Sequence, residues 1–134
     1  MIQIENYIQV YENILDNNVC ENIIREAREE DFMSAEITDG IKDKEVRNCY
    51  RKRLNNKYDK DIYNAIEVIL NKYSQTFPHF STGLSTEDTG YEHLLYKGKE
   101  EGYYKEHVDH FDLYPRVLSC SLILNDNYDG GDFA

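Results

Sequence analysis

The most informative stretch of this chain is YYKEHVDHFDLYPRVLSCSLILN, residues 103–125. In its second half, side chains of two kinds alternate, so that successive residues point to opposite faces of an extended backbone. One face carries Val117, Ser119, Ser121 and Ile123, and the other carries Leu118, Cys120, Leu122 and Leu124. This period of two predicts a strand over residues 115–125, with an apolar face packed on helices and a second face that lines a cavity in a curved sheet.

The residues on either side of this stretch extend the strand-rich region. The segments YEHLLYK at 91–97 and GYYKEHVDH at 102–110 also favour strands, and the turn NDNYDGG at 125–131 precedes the opening of a final strand at 132–134. Residues 91–134 are therefore predicted to form a β-rich core.

The first eighty residues have a different pattern. Alternation over 2–11 predicts a strand, and periodic apolar residues predict helices over 17–30, capped by Asp16, and over 59–77, capped by Asp59 or Asp61 and ended by Pro78. Between the helices, residues 32–54 are predicted to be irregular, with a short strand at 33–37 and a turn at Asp39 and Gly40. The fold class is α+β with a mainly β core.

The tripeptide His107-Val108-Asp109 is the candidate metal site. In an extended segment, side chains two apart share a face, so an imidazole nitrogen and a carboxylate oxygen can converge on one ion. With a second histidine they would form the two-His, one-carboxylate triad of non-haem Fe(II) oxygenases, which leaves coordination positions open. An H-x-D tripeptide alone is weak support for such a site.

Six elements in order over residues 91–134 strengthen this interpretation: Tyr96, Gly102-Tyr103-Tyr104, His107-Val108-Asp109, Arg116-Val117-Leu118-Ser119, Leu124-Asn125 and Gly130-Gly131-Asp132-Phe133. In this order and spacing, the chain resembles the prolyl 4-hydroxylase-type branch of the Fe(II)- and 2-oxoglutarate-dependent dioxygenases. The resemblance implies a double-stranded β-helix, or jelly roll, with two supporting N-terminal helices. It also implies one domain over 1–134, with helical support over about 1–80 and the core strands over about 91–134.

The same resemblance implies a function and its cofactors. His107 and Asp109 would bind Fe(2+), with 2-oxoglutarate as co-substrate, L-ascorbate as reductant, and a prolyl residue of a peptide or protein as the hydroxylated substrate. Succinate and carbon dioxide would be released. Tyr96 matches a residue that lines the co-substrate pocket in such enzymes, although it can equally pack on the sheet, and Tyr104 is expected to shape the strand entering the site without touching the metal.

The chain departs from the family pattern at two places. Ile123 lies near the point where many relatives have a tyrosine directed at 2-oxoglutarate, and the sequence ends at Ala134, before the distal histidine and the Arg or Lys that binds the far carboxylate. His79 and His93 precede the motif, and His110 is predicted on the opposite strand face from His107. We therefore expect a jelly roll truncated part-way through the barrel, little turnover by this chain alone, and self-association through the truncated sheet edge, where the Leu118 to Leu124 face would be exposed. The alternative is a non-catalytic jelly-roll fragment or binding module.

Composition restricts the class of partner. The formal net charge of -11 disfavours nucleic-acid binding, and the absence of a long apolar run or a signal-peptide pattern predicts a cytoplasmic protein without membrane association. Three cysteines without metal or redox spacing, Cys20, Cys49 and Cys120, are expected to be small buried apolar residues.

Three weaker patterns favour ordinary structure. His107 and His110 could pair on a helix as zinc ligands, but the surrounding aromatic and β-branched residues favour extended backbone. The segment 125–130 resembles a calcium loop less than an Asx and glycine turn. The basic run at 42–53 could suggest RNA, but in so acidic a chain it is read as a solvated segment or one that meets an acidic substrate.

Overall fold

The computed structural model describes residues 3–83, 87–109, 113 and 116–132 as an α+β arrangement. Over these residues there are two α-helices and five short strands, joined by 3-10 turns. The helices are α1 (Asn17–Glu26) and α2 (Asp59–Thr76), and the strands are β1 (Met33–Ser34), β2 (Arg47–Asn48), β3 (Tyr50–Arg53), β4 (Glu92–Leu95) and β5 (Tyr103–Tyr104). The predicted fold class is confirmed at this level.

Helix α1 begins at the predicted cap and ends four residues earlier than predicted. The Asp16 carboxylate accepts a hydrogen bond from the Asn18 amide at 2.8 Å, which satisfies one of the free amides of the first turn. Ala27 then has extended backbone angles (φ -75°, ψ 116°), and a 3-10 turn, Glu29–Asp31, follows. The buried residue of the helix is Ile23, one of the periodic apolar residues that predicted it.

Helix α2 spans almost the predicted range, but its start is stabilised differently. The side chain of Asn55 accepts from the Lys57 amide at 3.1 Å and caps a 3-10 turn that leads directly into the helix. Asp59 and Asp61 lie in the first helical turn, where their negative charges interact favourably with the helix dipole. Neither side chain caps the helix, contrary to the prediction. The helix ends before Pro78, as predicted.

A three-stranded antiparallel sheet has the order β1-β3-β4, and a second, two-stranded antiparallel sheet pairs β2 with β5. Strand β3, with the sequence YRKR, is central, although its segment was predicted to be irregular. Two of its cations are paired with carboxylates on other segments: Arg51 contacts Glu92 at 2.5 Å and Glu36 at 3.3 Å, and Lys52 contacts Asp31 at 3.6 Å. The end of the basic run is thus a mostly half-buried strand with two ion-paired cations, and the rest of the run lies outside this strand.

The predicted strand over 2–11 is wrong for the described residues from position 3. A 3-10 turn occupies Ile4–Tyr7, and Ile4 and Val10 are 77% and 85% exposed. Alternating apolar residues form a strand only where a neighbouring backbone supplies hydrogen-bond partners, and residues 3–11 pair with none of the described strands.

Residues 116–125 keep the predicted alternation of burial except at Cys120, which is exposed, and they are not a paired strand in the part of the chain that the structure describes. Leu118, Leu122 and Leu124 are half-buried, whereas Val117 and Ile123 are more than half exposed. Leu122 and Leu124 pack against the core, so the leucine face expected to be exposed is partly covered. The predicted final strand at 132–134 lies largely outside the described residues.

The core lies between the two helices and the sheet region. Ile23, Leu54, Tyr58 and Ile62 form its buried cluster, and partly buried side chains surround it: Leu15, Val19, Ile66, Tyr91, Leu122 and Leu124. The cysteines differ in burial: Cys49 is buried as predicted, Cys20 is half-buried, and Cys120 is exposed, contrary to the prediction. Both described sheets are open, and none of the described helices is long and apolar enough to cross a membrane.

Candidate functional site

His107 and Asp109 lie just after β5, with their side chains facing each other. The distance from His107 Nε2 to Asp109 Oδ1 is 3.4 Å, and the side chains are 38% and 33% exposed. The convergence expected from the spacing of two is therefore present, but the tripeptide lies beyond the paired part of the sheet and not on an inner sheet face.

The His107 ring is oriented by the backbone of the β5 segment. His107 Nδ1 is 2.9 Å from the Lys105 carbonyl oxygen. Because a carbonyl can only accept, this contact places a hydrogen on Nδ1, and in the neutral ring the lone pair then lies on Nε2, which faces Asp109. Lys105 is itself fixed, since its amide donates to the Val46 carbonyl at 2.9 Å.

Asp109 is held from its other side by the segment 116–119. Ser119 Oγ donates to Asp109 Oδ2 at 2.8 Å, and the Arg116 amide donates to the Asp109 carbonyl at 3.1 Å. One carboxylate oxygen is thus occupied by a hydroxyl, while Oδ1 remains directed at His107. The serine that the sequence placed on a cavity-lining face contacts the candidate ligand directly.

The separation of the two side chains leaves room for an ion between them. A charge-assisted nitrogen to oxygen hydrogen bond is typically about 2.7–2.9 Å long, and the 3.4 Å separation of His107 and Asp109 is longer. Two ligands that each lie about 2.1 Å from one ion are separated by roughly 3 Å or slightly more. Nitrogen and carboxylate oxygen also suit a borderline divalent metal, so the donor set fits such an ion.

Tyr96 follows β4 and lies near Cys49, Arg47 and Tyr104, with which its hydroxyl interacts electrostatically. Burial of the hydroxyl, then the Cys49 thiol, raises the pKa of Tyr96 to about 12, although the residue is 46% exposed overall. Tyr96 is therefore a neutral hydroxyl at physiological pH. Both sequence interpretations, co-substrate contact and sheet packing, remain predictions.

The loop between Tyr96 and Tyr103 depends on Gly102. A Cβ at this position would lie 3.0 Å from the Lys97 amide nitrogen, 3.1 Å from the Asn48 carbonyl oxygen and 3.2 Å from Tyr96 Cα. Three backbone segments therefore approach each other where only glycine fits without displacement. This close approach brings Tyr96 beside the β2 and β5 pair.

The described residues do not supply a third ligand. Within ranges 3–83, 87–109, 113 and 116–132, no group of three or more His, Cys, Asp or Glu side chains could hold a metal ion. His93 lies on β4 beside a different cavity, which is also lined by Asp31, Lys52 and Tyr58. The predictions made for His110 fall outside the described residues.

The candidate calcium loop behaves as a turn. The Asn125 side-chain amide donates to Asn127 Oδ1 at 2.7 Å, and Gly130 and Gly131 have positive φ values of 77° and 74°. The side-chain oxygen of Asn127 is therefore satisfied locally, as expected for an Asx and glycine turn.

Comparisons of the chain with protein families, with curated proteins and with solved structures find no match.

Proposed function

We propose that this protein is an Fe(II)- and 2-oxoglutarate-dependent dioxygenase in which His107 and Asp109 are metal ligands. The observation that carries the proposal is the 3.4 Å approach of His107 Nε2 to Asp109 Oδ1. It is supported by the order of the six sequence elements over residues 91–134. Six elements in order are a more specific match to the family than the tripeptide alone. The jelly-roll architecture is part of the proposal.

The chain's own residues would position the reactants. His107 and Asp109 would hold Fe(II), with the Lys105 carbonyl fixing the imidazole and Ser119 fixing the carboxylate. The bound iron and 2-oxoglutarate would supply the oxidising chemistry, with ascorbate as reductant and succinate and carbon dioxide as products. The neutral Tyr96 hydroxyl would donate a hydrogen bond to the co-substrate.

The substrate we propose is a C-H bond of a prolyl residue in a peptide or protein. This part rests on the family resemblance alone. It predicts that a proline-containing peptide binds to the protein loaded with Fe(II) and 2-oxoglutarate, and that the same peptide with alanine in place of proline does not.

Metal binding tests whether His107 and Asp109 are Fe(II) ligands. In an anaerobic Fe(II) titration, we expect His107→Gln and Asp109→Asn each to weaken binding at least about tenfold, because each removes a donor atom. The visible charge-transfer band of an iron-bound 2-oxoacid should appear on adding 2-oxoglutarate to the parent chain and be lost in both variants.

Two exposed residues provide matched controls, His79→Gln and Asp126→Asn, which change the same residue types elsewhere. Both should bind Fe(II) like the parent. Equal binding by all four variants, or no effect of 2-oxoglutarate on the parent spectrum, would contradict the proposal.

A second candidate, a non-catalytic binding module, is favoured by two observations on the described residues: no group of three or more His, Cys, Asp or Glu side chains could hold a metal, and both sheets are open. The same titration distinguishes the candidates, because a module without a metal centre would bind Fe(II) no better than His107→Gln.

A further inference from the structure

The Tyr104 ring contacts two side chains at the candidate site, His107 and Arg47, and these three side chains are called the stack. The rings of Tyr104 and His107 have centroids 3.7 Å apart and planes inclined by 20°. The guanidinium carbon of Arg47 lies 4.5 Å from the centroid of the Tyr104 ring. Tyr104 therefore contacts a cation and the imidazole at once.

The stack is anchored to regular structure. Arg47 and Tyr104 are directly opposite each other in the antiparallel pair of β2 and β5. Arg47 Nη1 also donates to the Glu36 carbonyl at 2.8 Å, which holds the guanidinium from outside the sheet. The Tyr104 ring therefore has little freedom to move when the imidazole moves.

We propose that Tyr104 is a positioning residue for His107, fixing the imidazole so that Nδ1 meets the Lys105 carbonyl and Nε2 faces Asp109. This inference rests on the proposed function insofar as His107 is a ligand. A partly exposed histidine without a stacking partner samples other side-chain rotamers, most of which would direct Nε2 away from Asp109. Orientation of a ligand by a neighbour that does not touch the metal is a general feature of metal sites.

The first test requires no metal. Nitrogen-15 NMR of the His107 ring reports which nitrogen carries the hydrogen in the neutral form. We expect the Nδ1-protonated form in the parent and in Tyr104→Phe, which keeps the ring, and mainly the Nε2-protonated form common in free histidine in Tyr104→Leu. Retention of the Nδ1-protonated form in Tyr104→Leu would overturn the proposal.

The second test measures Zn(II) affinity. We expect Tyr104→Leu to weaken binding about tenfold, as loss of outer ligand support does elsewhere, and Tyr104→Phe to remain within about threefold of the parent. Tyr103→Leu is the control, because Tyr103 lies in the same strand, pairs with Asn48 and is outside the stack. Equal weakening by Tyr103→Leu and Tyr104→Leu would assign the effect to the sheet and overturn the proposal.

The two tests separate the possible failures. If the parent binds Zn(II) no better than His107→Gln, the proposed metal function fails, while the NMR result still decides the role of Tyr104. If Tyr104→Leu does not fold, Arg47→Met removes the guanidinium from the Tyr104 ring, together with its hydrogen bond to the Glu36 carbonyl: about threefold weaker Zn(II) binding supports the stack, and unchanged affinity overturns it.

Discussion

At the scale of the residue, His93 makes the free energy of unfolding depend on pH. His93 lies opposite Lys52 in the β3 and β4 pair and borders a cavity that Glu26 and Asp31 also line. Burial first, and then the Lys52 charge, lowers the pKa of His93 below its usual 6.5. The folded protein therefore resists protonation of this ring more than the unfolded chain does.

The sign of the pH effect follows from this difference. Above about pH 6.5 the ring is neutral in both states, and as pH falls below this value the unfolded chain takes up the proton first, so stability decreases. We expect urea unfolding of His93→Gln to show a smaller loss of stability between pH 7 and pH 5 than the parent. His79→Gln, at an exposed site, should retain the parental loss, and an unchanged pH dependence in His93→Gln would contradict this assignment.

Only the contact between residues close in sequence, His107 and Asp109, was predictable at the candidate site. The approach of His107 to Asp109 follows from local geometry, because side chains two apart share a face of extended backbone. The contacts from Ser119 and Arg47 were not predicted, because they depend on which distant segments come together. The alternating pattern predicts the strand face on which Ser119 lies, but it does not predict that Ser119 donates a hydrogen bond to Asp109.

At the scale of the element, helices were predicted more accurately than strands. A helix satisfies its hydrogen bonds within one segment, and Pro78 and Asp16 mark boundaries that can be read directly. Strands require partners, so the charged segment Tyr50–Arg53 became a central strand while the alternating residues 3–11 did not. Pairing overrode local pattern in both places.

The cap of α1 gives a prediction at this scale. Asp16→Ala removes the acceptor for the Asn18 amide and should lower the free energy of unfolding by about 1 kcal/mol. Asp16→Asn keeps a capping oxygen and should lose much less. Urea denaturation of both variants measures the difference, and equal losses would show that the charge matters more than the hydrogen bond.

The segment 116–125 gives a second prediction, since its two faces differ in burial. Leu122 packs on the core cluster, whereas Ile123 is 55% exposed. Leu122→Ala should destabilise the fold by about 2 kcal/mol, at the low end for a buried leucine because this side chain is only half-buried, and Ile123→Ala by well under about 1 kcal/mol. Similar losses for both in thermal or urea unfolding would show that the segment does not pack as described.

At the scale of the whole molecule, the α+β class was predictable and the arrangement of strands was not. Two amphipathic helices followed by a segment of period two limit the choice of fold class. Sheet order depends on pairings such as that of Met33 with Arg51, which are distant in sequence and have no local signature. The resemblance suggested a jelly roll truncated part-way through the barrel, and the described strands form open sheets of three and two strands, so the jelly roll stays a prediction.

The ion pairs around β3 also affect how copies of the protein interact in solution. Arg51 and Lys52 are already neutralised by carboxylates of the same molecule, in a chain whose formal net charge is -11. Fewer cations are then available to attract a second acidic copy, and at 0.01 M salt the mutual repulsion extends over a Debye length of about 30 Å. We expect exposed apolar side chains such as Val117 and Ile123 to bring copies together only after salt has screened this repulsion, so light scattering should show less association in dilute buffer than at high salt.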